Sequence, residues 1–345
     1  MNPQAARNKA RRGNLAVQAH SVLPQVDEGV DVSVCIVNFN TVDELSGCMA
    51  SLARGASSIT LEVIVVDNAS TDGSAQMVRT KYPWVKLIAN ERNVGFAAGC
   101  NQAMRHSRGR YIMLLNPDTI VHDGAIEELV KFMDEHPDVA IAGPKLLNTN
   151  GTLQYSCRAF PTLLTGLFRN TPLERLFPSI KPVRQYLLMD HSHNEPMEVD
   201  WVSGAAMLVR RRAIEMVGML DEGYFMYCED VDWCWRMRKA GFKVFYVPSA
   251  VITHAVGRSS DQLFVPMLMQ RHRSMLRFYL KNYRRMLPLP FAPLIALGIG
   301  IRLFGALSKV ALLRMVLKWR HWVENAFKRR AKTARSFTQN RKGGS

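Results

Sequence analysis

From Asp31 onward, short runs of branched apolar residues alternate with stretches whose apolar positions recur at helical spacing. The runs Val32-Ser-Val-Cys-Ile-Val37, Leu61-Glu-Val-Ile-Val-Val66, Val85-Lys-Leu-Ile-Ala89 and Tyr111-Ile-Met-Leu-Leu115 read as strands buried on both faces. Between them the pattern predicts helices near Val42 to Ala53, Ser74 to Thr80, Ala97 to His106 and Ala125 to Glu135. Strand alternating with helix predicts an α/β fold with a mostly parallel sheet and crossover helices. A second patterned region, 199–256, contains the apolar run ending at Val209, a helix closed by Gly241, then Lys243-Val-Phe-Tyr-Val247 and Ile252-Thr-His254. Residues 148–196 between the two regions are irregular, rich in Pro and Arg, and longer than ordinary connectors. They read as a partly ordered lid or acceptor-facing segment.

In parallel sheets, ligands sit beyond the carboxyl ends of the strands. All four strand exits are polar here: Asn38-Phe-Asn40, Asp67-Asn-Ala-Ser-Thr-Asp-Gly73, Asn90-Glu-Arg-Asn-Val-Gly-Phe96 and Asn116-Pro-Asp-Thr119. One Asp in such a place is ordinary turn or capping chemistry; its recurrence at successive exits points to a ligand. Glu229, Asp230 and Asp232 fall at the expected start of the helix that Gly241 ends, where acids commonly offset the helix dipole. Phe225, Tyr227, Trp233 and Trp235 flank them, and apolar rings raise the proton affinity of a carboxylate, which suits a general base. Asp118, with His254, offers the sparse ligand set of a divalent cation held mainly by a diphosphate.

Charge changes the picture only at the C-terminus. The chain of 345 residues carries a net charge of +16, yet residues 271–345 hold 18 basic side chains and one acid, Glu324, while the body is near neutral. Basic groups interleaved with Leu, Ile, Phe and Trp suit an anionic membrane surface, each adding roughly 1 kcal/mol there. A neutral body argues against nucleic acid as the partner. The uncharged run 286–301 is broken by Pro288, Pro290 and Pro293 and is short of the ~20 residues of a spanning helix. The expectation is therefore an amphipathic helix around 271–285 followed by interfacial helices to 330 and a basic flexible tail, 331–345. Residues 1–30 contain Arg7, Lys9, Arg11 and Arg12 but no apolar run of a signal peptide, and read as a disordered basic arm. The six cysteines contain no C-x-x-C pair and read as reduced thiols.

The ordered motifs Val34-Cys-Ile-Val-Asn-Phe-Asn40, Asp67-Asn-Ala-Ser70, Asn93-Val-Gly-Phe-Ala-Ala-Gly-Cys-Asn101, Asn116-Pro-Asp118, Trp201-Val-Ser-Gly204, Glu229-Asp-Val-Asp232 and His254-Ala-Val-Gly-Arg-Ser259 resemble those of family 2 glycosyltransferases of the GT-A fold, in their rhamnosyltransferase-like group. The resemblance implies a GT-A catalytic domain over 31–265. It places the donor nucleotide at Asn38, Asn40, Asp67, Asn93, Gly95, Phe96 and Asn101, and the sugar or acceptor near Trp201 and Gly204. Asp230 becomes the base that deprotonates the acceptor hydroxyl, with Glu229 and Asp232 beside it. Asp118 matches the last acid of the D-x-D metal motif and, with His254, would hold Mg²⁺ or Mn²⁺. Asn116 stands where that motif has its first Asp, which weakens the case for strict metal dependence. Arg236 and Arg258 are cationic candidates for diphosphate contacts. The implied reaction is an inverting displacement on a nucleotide sugar, dTDP-rhamnose ahead of UDP-sugars, by a lipid-linked glycan of the cell envelope, at the cytoplasmic face of the membrane. A competing reading, a sugar-nucleotide nucleotidyltransferase, lacks its Gly-rich basic loop at Asn38-Phe-Asn-Thr41. The other, a nucleic-acid-binding protein, draws only on net charge.

Overall fold

The structure is a computed structural model that describes residues 23–55, 58–162, 165, 180–255, 264–283, 293, 296–308, 310, 315 and 319. The expected tail, Arg258, and residues 1–22 of the expected arm lie outside them. The chain divides into two units, 1–286 and 287–345.

The first unit begins with β1 (Val32–Asn38), α1 (Val42–Gly55), β2 (Leu61–Asp67), α2 (Ser74–Lys81), β3 (Lys86–Ala89), α3 (Phe96–Met104) and β4 (Tyr111–Leu115). It continues through β5 (Thr119–Val121), α4 (Ala125–Glu135), β6 (Val139–Leu147), β7 (Leu153–Gln154), β8 (Cys157–Arg158) and α5 (Lys181–Tyr186). Then come β9 (Met197–Glu198), β10 (Trp201–Val202), β11 (Ala206–Arg210), α6 (Arg211–Val217), α7 (Glu229–Lys239), β12 (Lys243–His254) and α8 (Phe264–Asn282). The main sheet has the order β3-β2-β1-β4-β11-β6-β12-β5, with β7 on β6 and β9 on β12. It is parallel from β3 to β4, antiparallel on both sides of β11, and parallel again between β6 and β12. All residues of β1 and β4 are buried, as a sheet covered by helices on both faces requires. β3 departs from that expectation: Lys86 and Ala89 are exposed, because β3 is the edge strand.

Two apolar layers fill the two sides of the sheet. One contains Val37, Ile64, Met104 and Leu114 with the α7 residues Trp233 and Met237; the other contains Val34, Ile36, Leu45, Met113 and Leu129. All six cysteines are free, and five are buried.

Two expected boundaries move. Residues 23–30 of the expected disordered arm are laid on the body: Leu23 is buried, Pro24 O accepts from Arg211 Nη1 at 3.2 Å, and Asp27 N donates to Arg108 O at 3.0 Å. The helix expected near 271–285 starts at Phe264 and packs on the rest of the first unit, burying Leu268, Phe278 and Tyr279, with Ser274 Oγ donating to Met226 O at 2.7 Å. Its apolar stripe faces protein. In the second unit residues 296–308 are helical, with Leu297, Ile301 and Phe304 exposed. Among the described residues no helix is long and apolar enough to cross a membrane.

Candidate active site

A cleft of about 250 Å³ opens where the strands of the main sheet end, and Phe39, Asn68, Asn93, Phe96, Asn116 and Asp118 line one part of it. Ser203, Gly204, Phe225, Tyr227, Glu229, Asp230, His254 and Met267 line the remainder. Two backbone devices shape the walls. Gly95 has φ +90°, and a Cβ there would stand 2.6 Å from Phe225 O, the same carbonyl that accepts from Phe96 N at 2.7 Å. Only glycine allows that approach. The wall after β3 is thereby tied to the loop that carries the acids.

That loop is strained. Tyr227 and Cys228, at φ 70° and 66°, are consecutive non-glycine residues in the left-handed region, immediately before α7. The turn sets Glu229 and Asp230 at the helix start. Asp230 Oδ2 accepts from Gly204 N at 3.0 Å and Oδ1 from Val231 N at 2.8 Å. Burial raises its proton affinity, and these N–H groups and the charge of Arg158 recover only part of the shift. Glu229 is 6% exposed, its Oε2 has no hydrogen-bond partner among the described residues, and burial followed by the neighbouring Asp230 raises its proton affinity well above the usual range. A carboxylate poised this way, half-open to a cleft, accepts a proton from a hydroxyl near neutral pH.

Elsewhere in the cleft wall, β5 pairs with the end of β12, which brings Asp118, just before β5, against His254. His254 Nε2 lies 3.3 Å from Asp118 Oδ1, with Asn116 Nδ2 at 3.4 Å. Gln154 Nε2 donates to Asn148 Oδ1 at 3.0 Å, so its Oε1 faces His254 Nδ1 at 2.8 Å and accepts that proton. Nε2 then presents a lone pair beside the Asp118 carboxylate, with the Asn116 amide as its one protein donor among the described residues, a pair of bases that suits a cation. The pair fits a divalent cation. Among the described residues no cluster of three His, Cys, Asp or Glu could hold a metal, so such a cation would draw most of its shell from a bound diphosphate and water.

The pattern of glycosyl transferase family 2 matches residues 33–194. The N-acetylglucosaminyl-diphospho-decaprenol L-rhamnosyltransferase of Mycobacterium tuberculosis (strain ATCC 25618 / H37Rv) is 32% identical over 256 residues, covering 70% of this chain and 81% of that protein. The chain belongs to glycosyl transferase family 2. Within it the glycosyltransferase falls in the rhamnosyltransferase-like group: rhamnosyltransferase WbbL of Escherichia coli (strain K12) is 30% identical over 156 residues, 45% of this chain and 55% of WbbL. The mannosyltransferase PcManGT from Pyrobaculum calidifontis, solved in complex with GDP-Man and Mn²⁺, shares the fold at TM-score 0.51 and 19% identity, covering 85% of this chain and 75% of that one. The glycosyltransferase is therefore a nucleotide-sugar-dependent enzyme, and the nucleotidyltransferase reading falls.

Several residues expected in the glycosyltransferase's site lie elsewhere. Asn38 and Asp67 are buried and spent on each other, Asn38 Nδ2 donating to Asp67 Oδ1 at 2.9 Å while Oδ2 takes Ser70 N. Asn40, at φ 51°, accepts from Thr71 N. These three brace the strand exits, and their neighbours Phe39 and Asn68 reach the cleft instead. Asn101 does not line it: its amide donates to Leu220 O and Glu222 and accepts from Leu220 N. Asp232 is fully buried and held by Arg236 and Lys281, both at 2.9 Å, and by Asn282. Arg236 spends its remaining N–H groups on the carbonyls of Val217, Gly218 and Met219, so neither it nor Asp232 faces a diphosphate or a reacting hydroxyl. Trp201 is buried behind Ser203 and Gly204, its Nε1 donating to Ala159 O. Met226 and Met267 in the lining left no signal in the sequence, since neither pattern nor charge marks them.

Proposed function

We propose that this glycosyltransferase moves rhamnose from dTDP-rhamnose, with inversion at the anomeric carbon, to a hydroxyl of a lipid-linked glycan whose first sugar is joined to the lipid by a diphosphate. The supporting observation is the cleft itself, with a base of raised proton affinity, Asp230, and the Asp118–His254 pair in its walls. Asp230 takes the acceptor proton as the hydroxyl attacks, and the N–H groups of Gly204 and Val231, one on each oxygen, hold the carboxylate in one orientation. A bound Mg²⁺ or Mn²⁺ would supply charge stabilisation for the leaving diphosphate. Phe39, Phe96 and Phe225 exclude water from the reacting centre, which limits hydrolysis of the donor. The sugar and the diphosphate-linked acceptor are taken from the activity named for the Mycobacterium relative, and dTDP from the motifs' resemblance to the rhamnosyltransferase-like group.

The exposed stripe Leu297, Ile301 and Phe304, within about 60° on a helical wheel, and the basic C-terminal quarter support seating on an anionic membrane surface, at its cytoplasmic face. Two measurements test the reading. Binding of dTDP, UDP and GDP, each with Mg²⁺, Mn²⁺ or chelator, is expected to favour dTDP with a cation, the cation effect vanishing in Asp118→Ala. A preference for UDP or GDP sinks rhamnose as the sugar. Deleting 286–345 is expected to shift the protein from the membrane pellet to the soluble fraction; a folded truncation that still pellets places the anchor elsewhere.

A further inference from the structure

Arg158 is a half-buried guanidinium that no carboxylate pairs with among the described residues. Its Nε donates to Tyr155 O at 3.0 Å, and its Cζ lies 4.9 Å from the Trp201 ring centre and 5.7 Å from that of Tyr186. The Tyr186 hydroxyl is its other polar neighbour. Three other covered arginines of the body are spent: Arg210 on the carbonyls of Met133, His136 and Val139, Arg211 on those of Gly109 and Pro24, and Arg236 on Asp232. Covering a guanidinium costs free energy unless anions or carbonyls meet its N–H groups. The two rings offset part of that cost, and the N–H groups that Tyr155 O and the Tyr186 hydroxyl do not take are left for an anion.

The position of this cation is specific. β8 pairs with β10 so that Arg158 stands opposite Trp201, and the chain then runs through Val202 into Ser203 and Gly204, which line the cleft and hold Asp230. The charge of Arg158 reaches both Asp230 and Tyr186. It therefore lies on the base's side of the site, where the acceptor must enter for its hydroxyl to meet Asp230.

We propose that Arg158, set over the Trp201 and Tyr186 rings, is the subsite for the acceptor's phosphate, the anion joining its first sugar to the lipid. The proposal rests on the diphosphate-linked acceptor inferred above and adds the residue that recognises it. A planar fork of N–H donors meets two phosphate oxygens at once, and a charge-assisted contact of this kind corresponds to about ten- to hundredfold in affinity.

The test uses the full-length protein, a short-chain prenyl-diphosphate sugar, and an alkyl glycoside of the same sugar without phosphate. In the wild type the diphosphate-linked sugar binds more tightly than the neutral glycoside, and in Arg158→Met that preference collapses by about ten- to hundredfold while dTDP binding is unchanged. Arg158→Lys restores part of it, which a merely structural role for the side chain would not produce. Three results overturn the proposal: a preference retained in Arg158→Met, a loss of dTDP affinity in the same variant, which would give the guanidinium to the donor, or a wild type that binds inorganic diphosphate as tightly as the linked sugar and independently of Arg158. A wild type that shows the Arg158-dependent preference but transfers no sugar keeps the subsite and sinks the enzymatic reading instead.

Discussion

The two flanks of the start of α7 treat the same residue type in opposite ways. Asp230 faces the cleft, with two backbone N–H groups on its oxygens and its proton affinity raised by burial. Asp232, two residues on and about 200° around the helix, is fully buried against Arg236, Lys281 and Asn282. Asp221 joins that second cluster through Lys281 and Arg277. Burial alone would raise Asp221, but Lys281, the N–H of Gly223 and Arg277 outweigh it and hold its carboxyl down at about 2. One flank keeps carboxylates short of partners so that they can accept a proton. The other saturates them so that α7 stays anchored to α6 and α8.

The contrast breaks most sharply at Asp230. Asp230→Asn keeps the shape and one of the two N–H contacts but removes the base; kcat is expected to fall about 10²- to 10⁴-fold with nucleotide affinity unchanged and the protein still folded in urea titrations. An equal loss in Asp232→Asn would erase the distinction. The opposite flank fails in stability instead. Asp232→Ala strands Arg236 and Lys281 and is expected to cost about 3 kcal/mol in urea unfolding, the low end of the range for a broken buried pair, because both cations are partly exposed.

Acid and base separate the flanks further. Asp221 has a folded value below its ordinary 3.8, so its contribution is whole above that pH and is lost as pH falls towards 2. Glu229 and Asp230 have folded values above their ordinary 4.5 and 3.8, so their contribution is whole below those values and is lost as pH rises through the folded ones. Activity runs the other way across that upper window, since the base works only when ionised. Glu229→Gln is expected to flatten the stability profile there and to raise stability at neutral pH by about 1–3 kcal/mol, read as urea midpoints across pH. A slope unchanged from wild type would mean that Glu229 carries no buried charge. The smallest effect is expected at Gly204, where a Cβ would stand 3.3 Å from Asp230 Cβ. Gly204→Ala should displace the base by a few tenths of an ångström and lower kcat about three- to tenfold without changing donor affinity.

These flanks also show how far sequence can be read. The runs at β1, β2 and β4 were legible because branched residues fill both faces, and the helices between them because their apolar positions recur at helical spacing. β6 was not: Ala140, Ala142, Gly143 and Pro144 interrupt its run, although Gly143 is there because a Cβ would lie 2.7 Å from Val202. β12 looked like two pieces because a register shift between Val247 and Val251 breaks its pattern around Pro248. In the site, spacing located Asp118, Glu229, Asp230 and His254, and the family resemblance located Gly204, all of which line one cleft. The pattern could rank Asp230 above Asp232 but not show which side each faces, because that depends on α6 and α8, which come from distant sequence. Nor could it show that Asn38 and Asp67 bond each other while Phe39 and Asn68 reach the space between.

The strand order carries a consequence for synthesis. β11 lies between β4 and β6 although both are made well before it. A ribosome adding 5–20 residues each second needs on the order of ten seconds to pass from β4 to the end of β11. Throughout that interval the most apolar strand of the nascent chain presents an unpaired hydrogen-bonding edge. The molecule's most vulnerable moment thus comes before its cleft exists, and its yield in a cell depends on what shields that edge while the remaining chain emerges.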